Sequence, residues 1–515
     1  MKKRNILAFV LVCLLLACCF AGCSSNSESH NLPAPDAAYD LSMQTPMEAE
    51  EIDWNTEEYK YLEENSFQSV AANPFATFAA DVDTASYANF RRQVLQNQTV
   101  AKDSVRAEEF INYFRYSYPE PQGDEPFSVT TEIAPCPWNE KTQLLSVGLQ
   151  AKRLDTGAMP RSNLVFLIDV SGSMSSADKL PLVQRSFITL VENLGEEDVI
   201  SVVTYSSGER IVADGVPGSQ KQKIVAAIEE LAASGSTRGD RAIQMAYELA
   251  EKYYIEGGVN RVIMATDGDF NVGTTSEGDL TRLVKEKAKS GVFLSVLGYG
   301  MGNYKDNKLE SMADNGNGNY AYIDSIDEAR KVLVSEAGGT LFTVAKDVKL
   351  QLEFNPAVIK GYRLIGYENR VMSASDFADD ARDGGEIGAG HQVTALFEIV
   401  PVESDYEIPE TGSKYGSTQT VNEAFANEVC TVNIRYKEPE GTESALLSYP
   451  VTKDSLREEM SDNIRWAAGV AETVMVLKDS AYKGSSSYEQ VKELLMPIAD
   501  DEFRTEFLYL INKID

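Results

Sequence analysis

The chain has 515 residues, enough for several hydrophobic cores at roughly 100–200 residues per domain, and its 43% hydrophobic and 9% aromatic content excludes a largely disordered protein. Lys and Arg number 47 against 79 Asp and Glu, and the formal net charge of −32 repels phosphates at long range, which excludes a nucleic-acid-binding role.

At the N-terminus, Lys2, Lys3 and Arg4 precede the apolar run Ile6 to Leu16. That run is too short for a membrane span of about 20 residues and predicts a targeting signal that is removed. It ends in Phe20-Ala21-Gly22-Cys23, which resembles the bacterial lipobox, although Phe20 stands where leucine is commonest and Cys18 and Cys19 are poorer alternatives. The resemblance implies a signal peptide over 1–22 and a diacylglycerol on Cys23, so that the mature chain is extracytoplasmic and lipid-anchored to a bacterial membrane, at the cell surface or a periplasmic face. A plain secretory signal with an incidental cysteine is the other reading. Residues 23–70 contain Pro33, Pro35, Pro46 and the acidic Glu48, Glu50, Glu51 and Asp53, and read as a flexible acidic spacer.

The region 71–160 opens with two helical stretches, Thr84 to Gln96 and Ser104 to Tyr116, the second with Phe110, Ile111 and Phe114 on one face. Phe127 to Ala151 then alternates as strands, broken at Pro135, Pro137 and Trp138. From Asn163, short apolar runs at Leu164–Ile168, Val199–Tyr205, Val262–Ala265 and Val292–Leu297 suit strands covered on both faces. Between them, Leu180, Val183, Phe187, Leu190, Val191 and Leu194 recur at helical spacing, as do Ile224, Ala227, Ile228 and Leu231. Asn319 to Asp324 and Glu328 to Ala337 add a last strand and helix. This alternation predicts an α/β domain over 161–342 with a doubly wound, mainly parallel sheet whose ligand crevice lies at the carboxyl ends of the strands.

Beyond it, 343–515 reads as β-rich, with strands at Val348–Phe354, Tyr362–Tyr367, Gln392–Ile399 and Cys430–Tyr436, then helices over Ser455–Lys478 and Tyr488–Lys513. The strands of Phe127 to Ala151 are expected to pair with those after Val348, forming one discontinuous β domain from which the α/β domain projects. Of six cysteines only Cys136 and Cys430 fall in the folded body. They either form a disulfide or stand as two buried thiols.

The chemistry concentrates at three strand ends. The first strand runs into Asp169-Val170-Ser171-Gly172-Ser173, Thr237 precedes a helix start, and a third strand runs into Asp267. Two carboxylates and three hydroxyls without His or Cys form an all-oxygen set suited to Mg²⁺, with Mn²⁺ or Ca²⁺ as alternatives. Neutral hydroxyls leave the cation undercompensated, so an open coordination position would attract the Asp or Glu carboxylate of a protein partner. His30 and His391 are the only histidines, which leaves little material for a Ser-His-Asp triad, and no catalytic residue is assigned. The alternatives are a Mg²⁺-dependent hydrolase at the same site, with Asp269 the one extra carboxylate placed as a base, or a structural domain without bound metal.

Asp169-x-Ser171-x-Ser173, Thr237 and Asp267, in that order on those elements, resemble the metal ion-dependent adhesion site of von Willebrand factor type A domains. The resemblance implies direct ligation by Ser171, Ser173 and Thr237, with Asp169 and Asp267 acting largely through water, in an adhesion- or scaffold-type binding module that is not an enzyme. Segments Ala80 to Tyr87, Arg106 to Phe114, Phe354-Asn355-Pro356, Tyr362 to Arg370 and Gly385 to His391 resemble a subfamily of bacterial lipoproteins with such a domain, an N-terminal extension and a C-terminal domain of unknown function. Two acidic stretches have simpler readings: Asp81-Val82-Asp83-Thr84 as a helix N-terminus with acidic caps, and Asp376, Asp379, Asp380, Asp383 and Glu386 as a solvated charge run without calcium-loop spacing.

Overall fold

The computed structural model describes residues 57, 59–80, 83–153, 160–237, 239–268, 277–301, 306–380, 382, 384–408, 423–439 and 441–515. Cys23 and Asp269 lie outside the described residues. Before the α/β domain come β1 (Gln68–Ser69), β2 (Phe75–Ala79), α1 (Ala85–Leu95), α2 (Ala107–Tyr113), β3 (Phe127–Pro135) and β4 (Gln143–Ala151). The α/β domain holds β5 (Ser162–Asp169), α3 (Leu180–Asn193), β6 (Val199–Tyr205), β7 (Glu209–Pro217), α4 (Lys221–Glu229) and α5 (Asp240–Lys252). It continues with β8 (Val259–Thr266), α6 (Glu277–Lys289), β9 (Phe293–Tyr299), α7 (Asp306–Asn315), β10 (Tyr320–Ile323) and α8 (Ile326–Arg330). After α9 (Ala337–Leu341) follow β11 (Thr343–Phe354), β12 (Ile359–Ile365), β13 (Val371–Met372), α10 (Ala374–Ala378), β14 (Ile387–Gly388), β15 (Gln392–Pro401), β16 (Glu428–Lys437) and β17 (Ser444–Thr452). The helices α11 (Asp462–Lys478), α12 (Tyr488–Leu495) and α13 (Glu502–Ile514) close the chain.

The α/β fold takes its shape from period-two alternation in strands apolar on both faces. Leu164, Phe166 and Ile168 of β5 pack with Val183, Phe187 and Val191 of α3 on one side. Val165 and Leu167 pack with Ile243, Ala246 and Tyr247 of α5 on the other. The sheet order is β10-β9-β8-β5-β6-β7, parallel except for β7. β7 is an antiparallel edge strand that the sequence pattern did not indicate.

Two further sheets, β1-β12-β15-β4-β3 and β13-β2-β11-β16-β17, pack face to face as a sandwich. Val147 and Leu149 of β4 meet Phe397 of β15 and Leu350 and Leu352 of β11 in its core. The expected pairing across the insertion is present: Gln143 through Gln150 of β4 lie antiparallel to Ile399 through Gln392 of β15. A separate helical core joins α1 and α2 to α11, α12 and α13 around Trp466, Phe114 and Phe507.

Several expectations need correction. The spacer does not extend to residue 70. Gln68 and Ser69 pair with Tyr362 and Gly361, Asn65 Nδ2 donates to the Gly366 carbonyl at 2.8 Å, and Glu57 accepts from Arg92 at 3.0 Å, so these polar residues fold by borrowing partners from the body. Cys136 and Cys430 are free buried thiols and form no disulfide, because Cys430 sits in the sandwich core and Cys136 in the helical core. Burial pushes the Cys136 thiol up to about 12. Asp83 does not cap α1; it accepts the Tyr320 N–H at 3.0 Å and pairs with Arg370 at 3.3 Å. The acidic loop is partly paired, with Asp376 closing a capping box with Ser373 and Asp380 bound to Arg435 at 3.0 Å. The last helix of the α/β domain is broken by a wide turn at Lys331–Ser335, and the C-terminal helix is broken at Pro497.

Glu472 of α11 is fully buried in the helical layer, with Ser486 donating to one oxygen at 3.3 Å and the other oxygen unbonded. Desolvation raises its carboxyl from 4.5 to about 7, against the Ser486 bond. A folded-state value above the unfolded one makes its contribution fully favourable below pH 4.5 and progressively lost up to about pH 7. Glu472→Gln should remove that slope and leave the variant more stable than the parent above neutrality by up to about 3 kcal/mol, read from denaturant unfolding between pH 4 and 8.

Candidate metal and ligand site

The strands of the parallel sheet are added outward in both directions from β5, so the order of growth reverses between β5 and β8. Ligands of doubly wound folds sit at that reversal, beyond the carboxyl ends. Ile168 pairs with Ala265, so Asp169 at the end of β5 and Asp267 just past β8 emerge side by side.

Asp169 is 0% exposed. Its Oδ1 accepts the Ser171 N–H at 2.8 Å, while Oδ2 is buried and makes no hydrogen bond. Burial raises its carboxyl to about 6, opposed by the bonds from Ser171 and reinforced by the nearby Asp267 charge. Residues Gly172–Ser175 form a single tight turn, pinned to the core by the fully buried Met174. That turn holds Ser171 Oγ and Ser173 Oγ 3.0 Å apart. Two neighbouring ligands of an octahedral Mg²⁺ stand about 2.9 Å apart, given metal–oxygen distances of about 2.0–2.1 Å, and adjacent oxygens around a seven-coordinate Ca²⁺ stand about as close, so the spacing suits either ion.

The third loop is tied to the first by backbone alone. Gly172 N–H donates to the Gly235 carbonyl at 2.9 Å and Ser234 N–H to the Val170 carbonyl at 2.8 Å. Thr237 lies on this loop, half-buried, just ahead of α5. The close approach depends on glycine: Gly235 has φ +80°, and a Cβ there would fall 2.3 Å from Ser207 Oγ, the hydroxyl that accepts the Ser236 N–H at 3.0 Å. Asp169, Ser171, Ser173, Asp267 and the loop of Thr237 are therefore all gathered at one crevice. The donor set fits a small divalent cation, because it is all oxygen, correctly spaced at the two serines and has an unbonded buried carboxylate oxygen behind them. Among the described residues no group of three or more His, Cys, Asp or Glu is placed to hold a metal ion, and the side-chain oxygens at this crevice are hydroxyls as much as carboxylates.

Sequence reasoning missed Lys179. It is 9% exposed and donates from Nζ to Asp267 Oδ2 at 2.9 Å. It stands immediately before α3, after the polar stretch Ser175-Ser176-Ala177-Asp178, and only the fold shows that its head turns towards the crevice. A cavity of about 730 Å³ lined by Arg153, Glu197, Asp198 and Glu336 opens beside Ser162, at the amino end of β5, and is not part of this site.

Comparison with known proteins covers most of the chain. Family models match for a von Willebrand factor type A domain over residues 163–334, for von Willebrand factor over 53–146, and for the C-terminal region of the uncharacterized protein YfbK over 339–515. The Escherichia coli (strain K12) protein described as uncharacterized protein YfbK is 42% identical over 472 residues, covering 89% of this chain and 81% of that protein. Human inter-alpha-trypsin inhibitor heavy chain H4 is 31% identical over 153 residues, only 28% of this chain and 16% of that protein. Among solved structures, a von Willebrand factor type A protein from Catenulispora acidiphila matches with a TM-score of 0.42 and 15% identity, covering 78% of this chain and 91% of that one.

Gly235→Ala should cost about 1–3 kcal/mol through its positive φ and the clash with Ser207. Adding Ser207→Ala should recover only the steric part, as read by thermal unfolding of both variants.

Proposed function

Because the chain belongs to the YfbK family and contains a von Willebrand factor type A domain, we propose that it is a divalent-cation-dependent protein-binding module of the bacterial cell envelope. Ser171, Ser173 and Thr237 hold Mg²⁺ through their hydroxyls, and Asp169 and Asp267 stand behind them as anionic anchors, largely through water. The open position takes an Asp or Glu carboxylate from a protein partner, as in an adhesion or scaffold contact. The observation that carries this reading is the 3.0 Å spacing of the two serine hydroxyls in front of the buried, unbonded Asp169 Oδ2.

Binding is preferred to hydrolysis on the site's own chemistry. A metal hydrolase needs a general base beside its cation. Among the described residues Asp267 is engaged by Lys179, and His391 belongs to the approach to β15 in the sandwich, while Asp269 lies outside them. The anchor is proposed to be a lipid on Cys23, with the polar residues before Glu57 lifting the body from the membrane surface.

Titration of the purified protein with Mg²⁺ and Mn²⁺ by calorimetry should show one saturable site, lost in Asp169→Ala with circular dichroism unchanged. Absence of binding to the parent protein, with an acidic peptide present as well as without one, would leave a structural domain in place of a metal-dependent one. Cys23→Ser should move the protein from the membrane fraction to the soluble extracytoplasmic fraction and abolish incorporation of labelled palmitate.

A further inference from the structure

The Lys179 ammonium is at the crevice, yet belongs neither to the ligand set nor to the hydrophobic core. Its contact with Asp267 is built. The two side chains are 11% and 0% exposed, and the Nζ–Oδ2 distance is 2.9 Å. The lysine stem reaches the carboxylate by crossing Gly300, which has φ +73°; a Cβ at that position would lie 2.4 Å from both Cγ and Cε of Lys179. The Gly300 carbonyl is held in turn by the buried Tyr322 hydroxyl, which donates to it at 2.7 Å. At the other end, the Lys179 carbonyl accepts the Leu182 and Val183 N–H groups at 2.8 and 2.9 Å and so starts α3. A left-handed glycine, a tyrosine on its carbonyl and a helix start together steer one ammonium onto one carboxylate.

We propose that Lys179 is the internal counter-cation of this site, which makes metal binding and anionic-ligand binding depend on each other. The inference rests on the cation site proposed above. Asp169 and Asp267 bring two carboxylates to the site, and the Lys179 ammonium pairs with one of them. The bare site then attracts a divalent cation with a single net negative charge and carries a single net positive charge once the cation is bound. A carboxylate from outside brings that total to neutrality. Without Lys179 the loaded site would already be neutral, and an incoming carboxylate would make it negative. Lys179 therefore weakens the cation's hold when no ligand is present and strengthens the pull on an acidic ligand when the cation is present. By linkage the ligand raises metal affinity by the same factor as the metal raises ligand affinity.

The test is calorimetric titration with Mn²⁺ alone and with Mn²⁺ in the presence of acetate, on the parent protein, Lys179→Met, Lys179→Gln and Asp169→Ala. Lys179→Met keeps the stem over Gly300 and removes the charge; it should bind Mn²⁺ about tenfold more tightly without acetate. Acetate should tighten Mn²⁺ binding to the parent several-fold and to Lys179→Met hardly at all. Lys179→Met should also melt at a lower temperature than the parent in chelator, where the Lys179–Asp267 ion pair is gone, and gain more from added Mn²⁺. If Lys179→Met is too unstable in chelator, Lys179→Gln, which still donates to Asp267, carries the same expectation for affinity. Equal or weaker Mn²⁺ binding by the uncharged variants, while the parent binds and Asp169→Ala does not, overturns the role of Lys179 and leaves the cation site standing. Absence of Mn²⁺ binding in every protein, with and without acetate, overturns both.

Discussion

The assembly depends on a guanidinium that is almost entirely buried. Arg91 of α1 is 4% exposed and reaches Asp324 after β10, Glu328 of α8 at 2.7 Å, the Tyr113 hydroxyl of α2 at 2.8 Å and Glu506 of α13 at 3.3 Å. A buried charge is tolerable only while its partners stay in place. The four segments that supply them come from the N-terminal region, the α/β domain and the C-terminal helices, so none can be withdrawn without stranding an ion. Neighbouring knots extend the arrangement: Arg106 bonds Glu109 and Glu310 at 2.9 Å each, and Arg370 pairs with Asp83, Glu310 and Asp314. All of them fall on the β10 and α7 edge of the α/β domain. The crevice between β5 and β8 lies two strands inward from that edge.

That division gives the crevice its character. The placement of its hydroxyls is set by backbone, through Gly172 and Gly235 in mutual contact and Met174 pinning the serine turn. Short hydroxyls on tight turns have little conformational entropy left to lose on engaging a ligand.

Much of this was legible in the sequence because it follows from periodicity. Strands apolar at every position announce a sheet covered on both faces, and polar residues directly after such strands must lie at its carboxyl edge, so Asp169, Ser171, Ser173 and Asp267 could be placed together before any coordinates. What could not be read depends on partners distant in the chain. β17 is largely exposed, with Leu446 54% exposed, and is a strand only because β16 lies beside it. β7 is a similar half-exposed edge. Asn65 to Ser69 look like linker until β12 supplies their hydrogen bonds. Lys179 reads as an ordinary surface lysine, since the glycine that admits its stem lies far along the chain at Gly300. For the two cysteines, sequence leaves the question open until the cores are seen to be different ones.

The α/β domain is an insertion whose two ends enter the sandwich at interior strands: β4 leads into it and lies between β3 and β15, and β11 receives the chain afterwards and lies between β2 and β16. Tension applied to the α/β domain would therefore reach the sandwich along two strands at once, each hydrogen-bonded on both sides. Strands pulled lengthwise against two neighbours must break their bonds together in shear, whereas an edge strand peels one bond at a time. Mechanical resistance would thus be supplied by where the chain is stitched into the sandwich and not by any property of the crevice.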